Sequence, residues 1–170
     1  MTQLIKAVID STVFVSAAIA IDAGRRTAAR TLVEDALIRH GIFDNYVSTP
    51  ILYEIGDVLA RTSIPFPNEN VVSFVDLVQR ASILLTSVQG VVMGCRDPRD
   101  DKVMEVAMNG SVRYIVTRDK DLLEAAPHEK YAITKAGPGI RETSIEIVTV
   151  EAFLYGILGN TRSIASKEAG

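Results

Sequence analysis

The sequence predicts an α/β protein with three layers, a central and mainly parallel sheet of about four to five strands lying between two layers of helices. Three observations predict it. Short apolar, β-rich runs alternate along the chain with stretches whose apolar residues recur at helical spacing. Two of the strand-like runs, Leu4 to Ile9 and Arg113 to Thr117, end at or one residue short of aspartates, Asp10 and Asp119. No internal repeat or low-complexity segment interrupts the alternation.

Leu4 to Ile9 is apolar except for Lys6 and ends in Asp10, Ser11 and Thr12, as expected of a buried strand that delivers a carboxylate into the following turn. The apolar stretch Val13 to Ile21 falls far short of the roughly 20 residues needed to span a bilayer. From Arg25 to His40, Ala28, Leu32, Val33, Ala36 and Leu37 mark a helix that Gly41 stops. A short strand is expected over Tyr46 to Ser48. Thr49 and Pro50 then open a helix whose stripe is Ile51, Leu52, Ile55, Val58 and Leu59, with Glu54 at its margin and Asp57 further round.

Asn68 to Ala81 predicts a third helix, and Leu84 to Val88 a short strand or loop. The polar turn Arg96-Asp97-Pro98-Arg99-Asp100-Asp101 leads into a helix carrying Val103, Met104, Val106 and Ala107, so its acids meet a positive helix end. The strand Arg113 to Thr117 follows, ending in Arg118, Asp119, Lys120 and Asp121. Beyond a loop holding Gly137, Pro138 and Gly139, Ile145 to Val148 reads as the last strand and Val150 to Leu158 as a closing helix. Residues 1 to 158 form one expected domain, and 159 to 170 a polar, mobile tail.

With 170 residues, 48% of them hydrophobic and 23% charged, the chain can bury roughly 70% of its unfolded surface in one core. A lone cysteine, Cys95, excludes an intramolecular disulfide and a thiolate cluster and fits a reducing interior, so a soluble cytoplasmic protein is expected. The net charge of −3 argues against attraction of nucleic acid by the molecule as a whole. A polyanion would need a local basic rim, a bound metal, or both.

Four carboxylates stand out: Asp10, Glu54, Asp100 and Asp119. Together they would repel one another unless a cation compensated. Acids without a Cys or His cluster suit a hard ion such as Mg²⁺ or Mn²⁺ rather than zinc, and His40 and His128 read as surface residues. Each acid also has an ordinary reading. Asp100 and Asp101 can cap a helix, Glu54 can be a solvated helix residue, and Asp119 can end a strand or cap the helix after it. Asp10 is harder to dismiss, because a carboxylate buried after an apolar strand needs a partner. Asp97 and Asp121 read as turn and cap residues.

Four segments carry a resemblance to a known family: Val8 to Ala17 (VIDSTVFVSA), Ser48 to Ile55 (STPILYEI), Arg96 to Lys102 (RDPRDDK) and Tyr114 to Leu123 (YIVTRDKDLL). In this order and spacing the chain resembles the PIN domain over about residues 4 to 158, in particular the toxin branch of bacterial and archaeal toxin-antitoxin systems. The resemblance implies a metal-dependent endoribonuclease leaving 5′-phosphate and 3′-hydroxyl ends. It matches Asp10, Glu54, Asp100 and Asp119 to the family's metal-binding and catalytic acids, with Mg²⁺ or Mn²⁺ as cofactor. It also implies an RNA substrate, a cognate antitoxin partner and a homodimer.

The chain departs from the branch pattern twice. Thr12 stands where Asn is commoner, keeping a hydroxyl beside Asp10, and Asp101 stands where Asn commonly follows, so Asp100 and Asp101 both remain candidate ligands. Thr12 and Thr117 are candidate supporting residues, and Arg96, Arg99, Lys102, Arg118 and Lys120 candidate contacts to RNA phosphate. A haloacid-dehalogenase-type phosphatase would want an Asp where Thr12 stands, and a response-regulator receiver paired acids near the first strand. The competing class is a catalytically weak PIN-fold scaffold that binds protein or RNA. The apolar residues of Asn68 to Ala81 and Val150 to Leu158 exceed what one small core consumes and mark candidate interface elements.

Overall fold

The computed structural model describes residues 3–86, 101–125, 132–133, 141–142 and 145–160, with backbone alone at 101, 125, 132, 133, 141 and 142. Five strands form one parallel sheet: β1 (Lys6–Ile9), β2 (Asp44–Ser48), β3 (Ile83–Leu85), β4 (Tyr114–Val116) and, after a small antiparallel pair formed by β5 (Ala132–Ile133) and β6 (Arg141–Glu142), β7 (Glu146–Val148). The spatial order is β3-β2-β1-β4-β7. Ala7, Val8 and Ile9 have no exposed surface, as befits a central strand covered on both faces. Lys6, the charge in that run, lies with its ammonium 5.5 Å from the centroid of the Tyr46 ring.

The chain runs outward from β1 to β2 and β3, then returns to β4 on the other side of β1. The ends of β1 and β4 therefore flank the point where strand order reverses, the place where open parallel sheets open a crevice for ligands. Ala7, Val8 and Ile9 lie opposite Tyr114, Ile115 and Val116. Asp10 and Thr117 thus leave the sheet side by side.

Helices fill the crossovers: α1 (Ser11–Asp22), α2 (Ala28–Arg30) running on into a π-wound segment (Thr31–Arg39), α3 (Thr49–Leu59), α4 (Asn68–Arg80), α5 (Asp101–Asn109), α6 (Lys120–Ala125) and a closing π-wound helix, α7 (Ala152–Leu158). Right-handed crossovers put α1 to α4 against one face and α5 and α6 against the other. In keeping with this, α1 packs on α2 and α3, α3 on α4, and α5 lies along β1, β2 and β4.

Helix α1 has no amphipathic period for sequence reading to find. Val13, Phe14, Ala17 and Ala18 are fully buried along one side, but the half-buried Val15 and Ile19 carry apolar residues round to the other, and a helix apolar on most sides belongs inside. The second helix begins three residues later than its pattern predicts, because the Thr27 hydroxyl accepts the Arg30 N–H as its cap. Gly41 ends that helical stretch at φ +52°, a conformation side chains with Cβ rarely adopt. Pro50 sits in the first turn of α3, as expected, and Ile51, Leu52, Ile55 and Leu59 are buried while Val58 is half-buried. Residues 159 and 160 continue α7 beyond its expected end. The remainder of the expected tail, the Gly137 to Gly139 loop and Cys95 lie outside the described residues.

At the N-terminal ends of the strands, Phe153 of α7 meets Phe43 edge to face at 5.2 Å and Tyr114 at 5.8 Å. The packing that closes the sheet is therefore at the opposite end from Asp10. No described helix is long and apolar enough to cross a membrane.

Candidate active site

Asp10 caps the start of α1 in extended conformation, but its carboxylate makes no cap bond to that helix. One oxygen instead accepts two hydroxyls, Thr12 Oγ1 at 2.6 Å and Thr117 Oγ1 at 2.8 Å. Each hydroxyl is itself aimed from behind. Thr117 Oγ1 accepts the Asp119 N–H at 3.0 Å, and Thr12 Oγ1 accepts the Arg118 N–H at 3.3 Å, which leaves each O–H proton for Asp10. The backbone is tied across as well: Asp10 N–H donates to Val116 O at 2.9 Å, and Thr117 N–H to Val148 O at 3.1 Å.

Asp10 is 7% exposed and Thr117 fully buried. Burial is the main cause that pushes the Asp10 carboxyl above its ordinary range; the two threonine hydroxyls pull against it, and the charge of Glu54 adds to the rise. Among the described residues no basic side chain pairs with Asp10. A desolvated carboxylate facing a second acid is thus left to oxygen donors, an arrangement that a hard divalent cation would complete.

Glu54 projects from α3 at the margin predicted for it. Its side chain is 24% exposed, and its carboxylate lies 3.4 Å from the Lys102 ammonium of α5. Asp57 does point away: 51% exposed, it pairs at 2.9 Å with Arg61, just past the end of its helix.

Asp119 is half-buried and shows both of its expected characters. Its backbone N–H is held by Thr117, and one carboxylate oxygen accepts the Asp121 N–H at 2.9 Å, capping α6. The capping reading thus describes one oxygen of Asp119.

Arg118 is exposed, and its guanidinium donates to the hydroxyl of Ser16 on α1. Lys120 is exposed at the start of α6. The structure therefore gathers Asp10, Thr12, Thr117, Arg118 and Asp119 at the ends of β1 and β4, with Glu54 and Lys102 facing them from two helices. Asp100, Arg96 and Arg99 lie outside the described residues, as does the side chain of Asp101, whose backbone opens α5. Among the described residues no group of three or more His, Cys, Asp or Glu side chains stands close enough to hold a metal by itself.

One positioning residue escaped the sequence reading. The side-chain carbonyl of Asn45, 1% exposed on β2, accepts the Ile9 N–H at 2.9 Å, where the regular β1–β2 register has ended at Ala7 and Asn45. Its amide donates to Ser82 Oγ at 2.8 Å, and Ser82 to Val78 O at 2.7 Å. The end of β1 can thus part from β2 and carry Asp10 into the crevice without orphaning a buried donor. An Asn immediately before the expected strand Tyr46 to Ser48 was the available signal.

A family model described as the PIN domain matches residues 6–121. No curated protein matches the chain. Among solved structures, the crystal structure of PAE2754 from Pyrobaculum aerophilum is similar over 92% of this chain and 90% of that one, with a TM-score of 0.57 and 18% sequence identity. At that identity the likeness speaks for the fold alone.

Proposed function

This chain belongs to the PIN-domain family, a nuclease superfamily, and on that premise we propose that it is a Mg²⁺- or Mn²⁺-dependent endoribonuclease. The reaction is hydrolysis of RNA phosphodiester bonds at the ends of β1 and β4. One observation carries the reading: Asp10 is buried and held by two aimed hydroxyls, faces Glu54, and has no basic partner among the described residues. A buried carboxylate that faces a second acid and has no basic partner of its own is costly unless a cation joins it.

Asp10, Glu54 and Asp119, with Asp100 or Asp101, would hold the ion, which when bound supplies electrostatic stabilisation of phosphate oxygens and a more acidic water. The chain's own residues do the positioning. Thr12 and Thr117 fix the Asp10 carboxylate, Thr117 fixes the backbone of Asp119, and Asp119 is braced against α6. Arg118, Lys102 and Lys120, with Arg96 and Arg99, contact RNA phosphates and supply the local basic rim that a chain of net charge −3 requires. The product ends are 5′-phosphate and 3′-hydroxyl.

We assign the toxin role in a cytoplasmic toxin-antitoxin pair, and homodimerisation, to the same reading. An apolar groove of about 590 Å³ between α3 and α4 supports a protein partner. It is lined by Leu52, Tyr53, Val71, Val72, Val75 and Leu84, of which Tyr53 is 75% and Val72 78% exposed. The same groove is what favours the second reading, a scaffold with weak catalysis.

The test is cleavage of labelled single-stranded RNA by wild type and Asp10→Asn in Mg²⁺, Mn²⁺ or EDTA, with the product ends identified. Metal-dependent cutting lost in Asp10→Asn supports the nuclease. An inactive wild type, or a variant that cuts as well, moves the scaffold reading ahead.

A further inference from the structure

Lys102 and Glu54 are 48 residues apart in sequence, yet their charged groups lie 3.4 Å apart, joining α5 to α3. The other described ion pairs lie within one helical stretch or just past its end, or beside neighbouring strands. Both partners are mostly shielded, at 32% and 24% exposure. The separation nonetheless exceeds the roughly 2.7–2.9 Å of a tight charged hydrogen bond, so the contact is a loose one.

Its position is what matters. Glu54 is the acid whose charge reaches Asp10, and Lys102 therefore offsets half of the facing acid pair. We propose that Lys102 is a built-in counter-ion which holds Glu54 while the site lacks a divalent cation and is displaced when that cation binds. The inference rests on the metal-dependent reading above and adds to it an exchange of one cation for another. An ion shared by Asp10 and Glu54 would bring two positive charges against the ammonium, and the flexible lysine stem lets the ammonium swing clear. Lys102 acts on the metal through Glu54 and is a positioning residue. Exchange keeps Glu54 compensated in both states and lowers the apparent affinity for the ion.

The test is Mn²⁺ affinity, measured by calorimetry and by the paramagnetic resonance signal of free Mn²⁺, for wild type, Lys102→Gln and Lys102→Arg. Lys102→Gln is expected to bind roughly three- to tenfold tighter at low salt, with the gap closing as KCl is raised. Lys102→Arg, which keeps the charge, should stay within about twofold of wild type. A salt-dependent gain in Lys102→Gln alone is an electrostatic signature that a packing role would not produce.

Binding by Lys102→Gln equal to or weaker than wild type overturns the proposal, while leaving the nuclease reading intact if wild type still binds Mn²⁺ and cuts RNA. Mn²⁺ binding in Lys102→Gln but not in wild type upholds the counter-ion and counts against a metal-loaded wild-type enzyme. Absence of binding in both overturns both.

Discussion

Thr117 donates its hydroxyl to Asp10 at 2.8 Å across 107 residues of sequence and accepts the Asp119 N–H at 3.0 Å. One buried hydroxyl thus ties the end of β1 to the end of β4. Thr117→Val keeps the shape but leaves the Asp119 N–H and the Asp10 oxygen each short of a partner. The expected cost is about 1–3 kcal/mol, or roughly 2–10 °C in Tm for a chain of this size, read by calorimetry in EDTA. Thr12 makes the matching contact from the exposed side, so Thr12→Val should cost less, under about 1 kcal/mol. Equal losses would contradict the weight placed on burial.

Asp10 carries a prediction whose sign follows from its raised pKa. Burial, with Glu54 adding, makes ionisation harder in the folded than in the unfolded chain. Between the two pKa values the folded state holds more protons, so this group makes stability fall as pH rises through that window, and the full penalty stands above the folded pKa. Asp10→Asn removes the penalty. In EDTA at neutral pH the variant should therefore melt above wild type, with the advantage shrinking as pH is lowered from the raised pKa toward the ordinary carboxylate value and gone below it. Saturating Mn²⁺ should reverse the order, because only wild type offers the carboxylate. A variant less stable than wild type at neutral pH in EDTA would show that the threonine bonds outweigh burial.

Periodicity made most of the sheet legible and left one helix unread. Val8, Ile9, Ile115 and Val116 are buried β-rich residues in short runs, and each run ends in polar residues, so both the strands and the emergence of Asp10 and Asp119 could be read. Helix α1 could not, because apolar Val15 and Ile19 on its less buried side blunt the contrast with the buried Phe14, Ala17 and Ala18 that would set a period. Glu54 was placed correctly at the margin of its helix, but its pairing with Lys102 depends on how α3 meets α5 across the reversal of strand order, which spacing along one chain does not encode. The Asn45 contact escaped for a related reason: it depends on β1 and β2 parting after Ala7.

That parting makes Asn45 a sensitive position. Asn45→Leu has similar bulk but removes the acceptor for the Ile9 N–H and the donor to Ser82. An orphaned buried N–H costs about 1–3 kcal/mol, and hydrogen exchange at the Ile9 amide should accelerate beyond the change at Val8. Because Ile9 immediately precedes Asp10, Mn²⁺ affinity should weaken as well. Asn45→Ser at Tm close to wild type, with Ile9 exchange unchanged, would show that water substitutes for the side chain and that Asn45 does not set the strand end.

Arg118 tests the basic rim separately from the chemistry. It is exposed, with its backbone N–H on Thr12 and its guanidinium on Ser16, and it stands between Thr117 and Asp119. A phosphate contact there contributes through charge and carries no sequence information. Arg118→Gln, assayed by fluorescence anisotropy in Ca²⁺ to suppress turnover, should weaken binding of unrelated single-stranded RNAs by similar factors. The slope of log affinity against log salt should fall by about 0.7, the increment for one phosphate contact on a single strand. Loss confined to one RNA sequence would instead make Arg118 a base-reading residue, and an unchanged slope would remove it from the phosphate path.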